Sequence, residues 1–217
     1  MVPNGNFISF EGCEGVGKTT QVKLLKQSLI NLGIKVVETR EPGGSPSAEL
    51  IRELLVSGPV ERWDPMSEAM LHFVSRRVHI KDIIKPALER GDWVITDRFT
   101  DSTIAYQGFG QGVSSSQLSV MQDLAIGKFT PHITFILDLP ADIGLARAAS
   151  RKDEESRYEK MDLELHNRLR EGFLSIAKKD PRRIKIIDAS QPSENVAEDI
   201  WEELSGTFNL NNYQQVK

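Results

Sequence analysis

An α/β fold, with a five-stranded parallel sheet flanked by helices on both faces, is predicted for this 217-residue chain by three observations. Five short apolar runs recur along it, at 7–10, 34–37, 93–96, 133–137 and 184–187. Helical repeats separate the runs, and a complete glycine-rich loop joins the first run to the first repeat. Strands buried on both faces read as continuous apolar runs of this kind. Helices between successive strands imply right-handed crossovers, and therefore a parallel sheet.

The first strand, Phe-Ile-Ser-Phe at 7–10, runs through the glycine loop into a helix near 17–32, where Thr20 to Lys26 repeats with helical spacing. The second strand precedes a helix at 46–56. A long helical pattern at 66–90 leads to the third strand, and Pro86 within it should kink or divide the helix, because proline has no N–H to donate. A helix near 114–126 precedes the fourth strand. Helices near 141–150 and 157–179 then lead to the fifth, and a last helix covers 194–206. Residues 209–217 are polar and expected to fray. No repeat, low-complexity segment or linker divides the chain, so a single domain over 1–217 is expected.

At 39% hydrophobic residues the chain can bury a proper core. A net charge of -4 gives no global field to attract nucleic acid or an anionic membrane, so neither is an expected partner. No apolar stretch approaches the roughly 18 residues of a membrane span, and the first five residues do not resemble a signal peptide. The one cysteine, Cys13, excludes an internal disulfide and fits a reducing cytoplasm. It is expected to be a tolerated small side chain and not a redox centre, because nothing in the sequence pairs it with a base or a resolving thiol.

Residues 12–19 read Gly-Cys-Glu-Gly-Val-Gly-Lys-Thr, a full G-x-x-x-x-G-K-[ST] loop in the strand–loop–helix context that the motif needs. Gly12, Cys13, Glu14, Gly15, Val16, Gly17, Lys18, Thr19 and Thr20 are therefore the candidate phosphate-binding segment. Glycines let the backbone turn its N–H groups toward an anion, and the helix N-terminus adds partial positive charge. Lys18 is expected to reach the β- and γ-phosphates of ATP, and the Thr19 hydroxyl to help hold Mg²⁺. The third strand runs out into Asp97-Arg98. Ligands of open parallel sheets bind at the carboxyl ends of the strands, so this pair should face the loop. Asp97 can accept Mg²⁺ or its water, and Arg98 can clamp a phosphate with its planar fork.

The run Asp97-Arg98-Phe99-Thr100-Asp101-Ser102-Thr103-Ile104-Ala105-Tyr106-Gln107-Gly108 resembles the D-R-[YF]-x-x-S-x-x-A-Y-Q-G signature of thymidylate kinases. Thr39-Arg40-Glu41-Pro42-Gly43-Gly44 is similar to the T-R-E-P-G-G of that family. Phe73-x-x-x-Arg77, followed by Ile84-Lys85-Pro86-Ala87-Leu88, resembles a third landmark. With the phosphate loop, the landmarks stand in the family order between residues 7 and 108. The resemblance implies a P-loop kinase fold and the reaction ATP + dTMP → ADP + dTDP, with Mg²⁺, in dTTP synthesis.

Phe73 and Arg77 lie four apart and share a helix face, where a ring can stack on a base and a guanidinium can donate to its carbonyl. The resemblance assigns them to thymine and its O4. Arg76 adjoins Arg77, and the four-residue spacing from Phe73 selects Arg77. By the same resemblance Thr103 meets the base N3 edge and Tyr106 lies near the 2′ carbon. Arg40 and Arg98 hold the monophosphate, Ser102 supports them, and Glu14 lies near the 3′-OH. Family members with glycine at the position of Gly15 draw their ATP-side arginines from a lid. That implies a lid at about 147–158, in which Arg147 and Arg151 are the candidates.

The acceptor is a phosphate oxygen, already anionic at neutral pH, so no general base is expected and none of the four histidines is assigned one. Catalysis should consist of positioning and charge neutralisation by Lys18, Arg98, Mg²⁺ and a lid arginine. A kinase for another acceptor would differ at residues 73, 77 and 103. A nucleotide-dependent switch that binds guanine would carry N-K-x-D, which the sequence lacks. The family resemblance also implies a homodimer, for which the apolar helix faces at 66–78 and 118–126 are candidates.

Overall fold

The computed structural model describes residues 5–149, 158 and 162–210. Five parallel strands form one sheet in the order β2-β3-β1-β4-β5: β1 is Phe7–Glu11, β2 Val36–Arg40, β3 Trp93–Asp97, β4 Ile133–Asp138 and β5 Ile184–Asp188. This order places β1, which feeds the glycine loop, in the middle, where its whole length is buried.

Alternate side chains of β1 enter different core clusters, as the two-residue period of a strand requires. Ile8 and Phe10 pack with Val22, Leu25 and Leu29 of α1 (Lys18–Asn31). Phe7 packs with Ile80, Ile84 and Ala87 on the path into β3. That path is the one long pattern expected at 66–90, and here it is divided. Helix α3 (Pro65–His79) passes into a π-helical turn at Ile80–Ile84, and α4 (Lys85–Glu89) follows with Pro86 in its first turn. Pro86 has no N–H to donate, and the helix changes its hydrogen-bond register at this point, where the Lys85 N–H reaches back to Ile80 O. The Asp64 carboxylate caps α3, accepting from the backbone of Met66 and Ser67.

The remaining helices are α2 (Pro46–Val56), α5 (Thr100–Thr103), α6 (Ser115–Ala125), α7 (Ala141–Ala149), α8 (Leu163–Lys179) and α9 (Ser193–Phe208). Two differences from the sequence expectation bear on the site. Strand β2 runs three residues past its apolar run and ends at Arg40, opposite Asp97 of β3. After β3 the chain enters α5 and then a π-helix at Ile104–Gly110, where no helix was expected. Glycines at 108 and 110 and a run of hydroxyl residues conceal that element from propensity. Among the described residues no helix is long and apolar enough to cross a membrane.

Candidate active site

The carboxyl ends of β1, β2 and β3 bring the glycine loop, Arg40 and the Asp97-Arg98 pair to one place. Between them opens a cavity of about 250 Å³ whose walls include Glu14, Lys18, Thr19, Arg40, Asp97 and Arg98. Gly17, at φ 95°, sets the start of α1, so the helix N-terminus is directed at the loop. Gly15 has φ 72°, and a Cβ there would stand 1.9 Å from the Gly144 carbonyl oxygen of α7. Backbone packing therefore keeps position 15 free of a side chain, and no arginine can reach phosphates from it.

Lys18 Nζ donates to the carbonyls of Gly12 (3.0 Å) and Cys13 (2.7 Å). Burial and the Arg98 charge draw this ammonium down to about 8, against the opposing pull of Asp97 and Glu14. The Thr19 hydroxyl donates to Asp97 Oδ2 at 3.0 Å, so the two candidate metal ligands are neighbours. Cys13 is buried, and burial, with the Glu14 charge, pushes its thiol up to about 12. That leaves no thiolate for redox chemistry near neutral pH.

Arg98 is the hub of the cluster. It is not a glycine, yet it holds φ 69°, a conformation that turns its guanidinium back over the loop. Nη1 donates to Gly12 O (3.0 Å) and Ser102 Oγ (3.1 Å), Nη2 donates to Glu14 Oε1 (3.1 Å), and the cation lies 5.0 Å from the Tyr106 ring centre. Tyr106 donates its hydroxyl to the same Glu14 oxygen at 2.6 Å. Burial opposes the Glu14 charge, but His166, Arg98, Lys18 and Tyr106 outweigh it and hold the carboxyl down at about 2. Beneath them lies Glu11, fully buried, which accepts from the Phe99 N–H (2.7 Å) and the Ser102 hydroxyl (2.5 Å). Its burial, with the Asp101 charge, raises that carboxyl to about 7.

Of the sequence candidates, Gly12 to Thr20, Arg40, Asp97, Arg98, Ser102, Thr103 and Tyr106 gather around the loop and this cavity. Phe73 and Arg77 do not. Phe73 is 3% exposed and packs against Ala69, Val113 and Leu118, and Arg77 is exposed and donates to the Ala125 carbonyl at the end of α6. Their neighbours lie closer to the cavity: His72 lines it, and Arg76 donates at 3.1 Å to Oγ1 of Thr103, which also lines it. One residue along a helix is about a 100° rotation, so the choice of register exchanges one helix face for another. Arg147 stands on the far side of the glycine loop, in a second cavity with Gln191 and Ser193, and donates to Ala189 O at 3.2 Å. It is therefore apart from the Arg98 cluster. Arg151 lies outside the described residues, as does most of the expected lid.

Sequence reasoning passed over His72, Arg52, Gln107, Glu41 and Tyr158, all of which line the first cavity. The useful signal for His72 was its own four-residue spacing to Arg76, which equals that of the Phe73–Arg77 pair. Nothing in the sequence sets Arg52 apart from a solvated helix arginine.

A family model described as thymidylate kinase matches residues 10–200. The chain is similar to the thymidylate kinase of Magnetococcus marinus, 46% identical over 204 residues, covering 94% of this chain and 97% of that protein. It is similar to that of Caulobacter vibrioides at 49% identity over 185 residues, covering 85% and 88% respectively. The crystal structure of thymidylate kinase from Ehrlichia chaffeensis superposes with a TM-score of 0.75 at 39% identity, covering 93% of this chain and 99% of that one.

Proposed function

This chain belongs to the thymidylate kinase family and phosphorylates dTMP to dTDP with ATP, and we propose that the cavity between the glycine loop and Arg98 is where dTMP receives the phosphoryl group. One observation carries the assignment: Lys18, Arg40 and Arg98 line a single cavity together with Thr19 and Asp97. Two arginines and a lysine are suited to an acceptor that carries phosphate.

ATP phosphates would lie over the loop N–H groups, with Lys18 exchanging its carbonyl partners for phosphate oxygens. Mg²⁺ would neutralise phosphate oxygens when bound. Thr19 and Asp97 fit it, being hard oxygen donors 3.0 Å apart, and Mg²⁺ needs only one or two protein ligands when phosphates supply others. Arg98 is bonded to the loop at Gly12 and Glu14 and also lines the acceptor cavity, so it can follow the charge as the phosphoryl group moves. Arg147 lines the donor-side cavity and fits a role toward the ATP body, which leaves Arg151 as the lid candidate for the transferred group.

At the other end of the acceptor, His72 supplies the ring for the base, and Thr103 with Arg76 behind it supplies the polar edge. Tyr106 and Glu14 stand between base and phosphate, at the sugar. We place the enzyme in the cytoplasm, in keeping with its lone buried cysteine. A homodimer is also proposed. Leu50 and Leu54 of α2, Met70 and Val74 of α3, and Val120 and Leu124 of α6 are large apolar side chains exposed on α3 and on the two helices that flank it.

The direct test is ADP formation from Mg²⁺-ATP with dTMP, dUMP, thymidine, AMP or no acceptor. Selective stimulation by dTMP, with dTDP as product, is expected. Equal stimulation by thymidine would remove the two phosphate-holding arginines from the acceptor site.

A further inference from the structure

The four histidines of the chain have different surroundings. His132 Nδ1 accepts from the Phe7 N–H (2.8 Å), His79 lies between Glu41 and Thr39, and His72 Nε2 is 3.1 Å from the Tyr158 hydroxyl. His166, in the first turn of α8, is 1% exposed, and neither ring nitrogen has a hydrogen-bond partner. An imidazole buried in this way forfeits its hydration without replacement, whereas an apolar side chain would fill the space at no such cost. Buried polar groups left unsatisfied in a native protein often mark a functional site.

A carboxylate oxygen facing the ring is equally unsatisfied. Glu14 Oε1 is taken by Arg98 and Tyr106, but Oε2 is buried without a hydrogen bond and lies 3.4 Å from His166 Nδ1. That separation is a little beyond the usual 2.7–3.2 Å range of an N–H···O bond. Contacts of catalytic groups are commonly long in the free enzyme and tighten when reactants bind. Two further links tie the pair together: the Cys13 thiol lies 3.9 Å from the His166 carbonyl, and the Tyr106 ring packs edge-on against Phe173 of α8. Helix α8 therefore holds the loop carboxylate and its tyrosine partner from behind the acceptor cavity.

We infer that His166 is a positioning residue for phosphoryl transfer: its Nδ1–H closes onto Glu14 Oε2 and orients that carboxylate, and through it Arg98 and Tyr106, toward bound dTMP. This rests on the acceptor reading given above. Asparagine can place an amide N–H where Nδ1 stands, whereas the longer glutamine places its amide near Nε2. Phenylalanine keeps the ring and removes both nitrogens.

The test is steady-state ADP formation by His166→Phe, His166→Asn, His166→Gln, Glu14→Gln and the double variant Glu14→Gln/His166→Phe, with dTMP and ATP varied in turn. His166→Phe and His166→Gln are expected to lower kcat/KM for dTMP about tenfold or more, the scale of one hydrogen bond to a charged group, with the KM for ATP unchanged. His166→Asn should restore most of the loss, and His166→Phe should add nothing in the Glu14→Gln background. Parental kinetics in His166→Phe, a further loss in the double variant, or equal losses for asparagine and glutamine would each overturn the inference. If His166→Phe does not fold, the asparagine–glutamine contrast decides alone. Absence of dTMP-dependent ADP formation in the unmodified protein would overturn the acceptor reading itself, and this inference with it.

Discussion

Arg76 donates through Nε to Glu41 Oε2 at 2.6 Å, and both side chains are 2% exposed. Nη1 and Nη2 go to Thr103 Oγ1 and the Phe99 carbonyl, and the guanidinium sits between the Phe73 and Phe99 rings at 5.3 and 5.2 Å. Glu41 is held in turn by His79 Nδ1 at 3.0 Å. A buried guanidinium in this setting is fixed by its partners, and it fixes Thr103 at the cavity wall.

Arg76→Ala would strip the buried Glu41 of its guanidinium partner and leave it only His79, a loss of about 3–5 kcal/mol. Arg77→Ala removes one exposed contact to Ala125 and should cost within about 0.5 kcal/mol. Denaturant melts of the two variants, with the dTMP KM of each, separate the registers. A large rise in KM for dTMP in Arg77→Ala, with Arg76→Ala silent, would return the base-reading role to Arg77.

The neighbouring pair makes the complementary case. Phe73→Ala empties a core position beside Val113 and Leu118 and should destabilise by roughly 3–5 kcal/mol. His72→Ala opens the cavity wall, so its effect should fall on the KM for dTMP while the melting temperature stays close to that of the parent. His72→Phe should retain affinity, since either ring can stack on a base. If Phe73→Ala alone weakens dTMP binding in the fraction that remains folded, the stacking role belongs to Phe73.

This region also marks how far the sequence could be read. The five strands, the glycine loop and the Asp97–Arg98 terminus were legible because each has a local signature: a continuous apolar run, a glycine spacing, a polar residue at a strand end. The face of α3 turned toward the cavity was not, because Phe73–Arg77 and His72–Arg76 have the same spacing and only tertiary packing chooses between them. The extension of β2 to Arg40 was hidden for a related reason. Its last residues are polar because they reach the site, and polarity reads as the end of a strand. Helix α5 and the π-helix after it were concealed by serines, threonines and glycines that serve Glu11, Arg76 and close packing more than helix propensity.

The exposed apolar side chains of α2, α3 and α6 predict how the chain assembles. Leu124 is 79% exposed and Val120 59% exposed, values that suit a face covered by a second copy. Leu124→Asp combined with Val74→Asp should convert a dimer to a monomer in sedimentation equilibrium, with the monomer still folded by circular dichroism. A parent that already sediments as a monomer would end the dimer proposal.

Lys18 should take up a proton when nucleotide binds. Its ammonium is held at about 8, so near pH 8 it is about half protonated, and phosphate oxygens would restore full protonation. Calorimetry of ATP binding at pH 8 in buffers of different ionisation enthalpy should report uptake approaching about half a proton. At pH 6.5, where Lys18 is already charged, its contribution vanishes. Equal uptake at both pH values, or uptake that persists in Lys18→Met, would assign the proton to another group.

Glu11 gives the last prediction, and its sign follows from burial. Its carboxyl is raised from an ordinary 4.5 to about 7 in the folded protein, chiefly by burial and then by the Asp101 charge. The folded state therefore prefers the protonated form. The corresponding stability is fully present below pH 4.5 and is lost as the pH rises through 7, an interval worth roughly 3 kcal/mol. Glu14 runs the other way, but it is held near 2, so its contribution is lost only under strong acid. Glu11→Gln keeps an acceptor for the Phe99 N–H and can still meet the Ser102 hydroxyl, while never carrying the charge. It should be more thermostable than the parent at pH 8 and nearly equal to it at pH 5. Thermal melts at the two pH values decide the matter, because a variant less stable than the parent at pH 8 would mean that the ionised carboxylate, through Arg98, supports the fold.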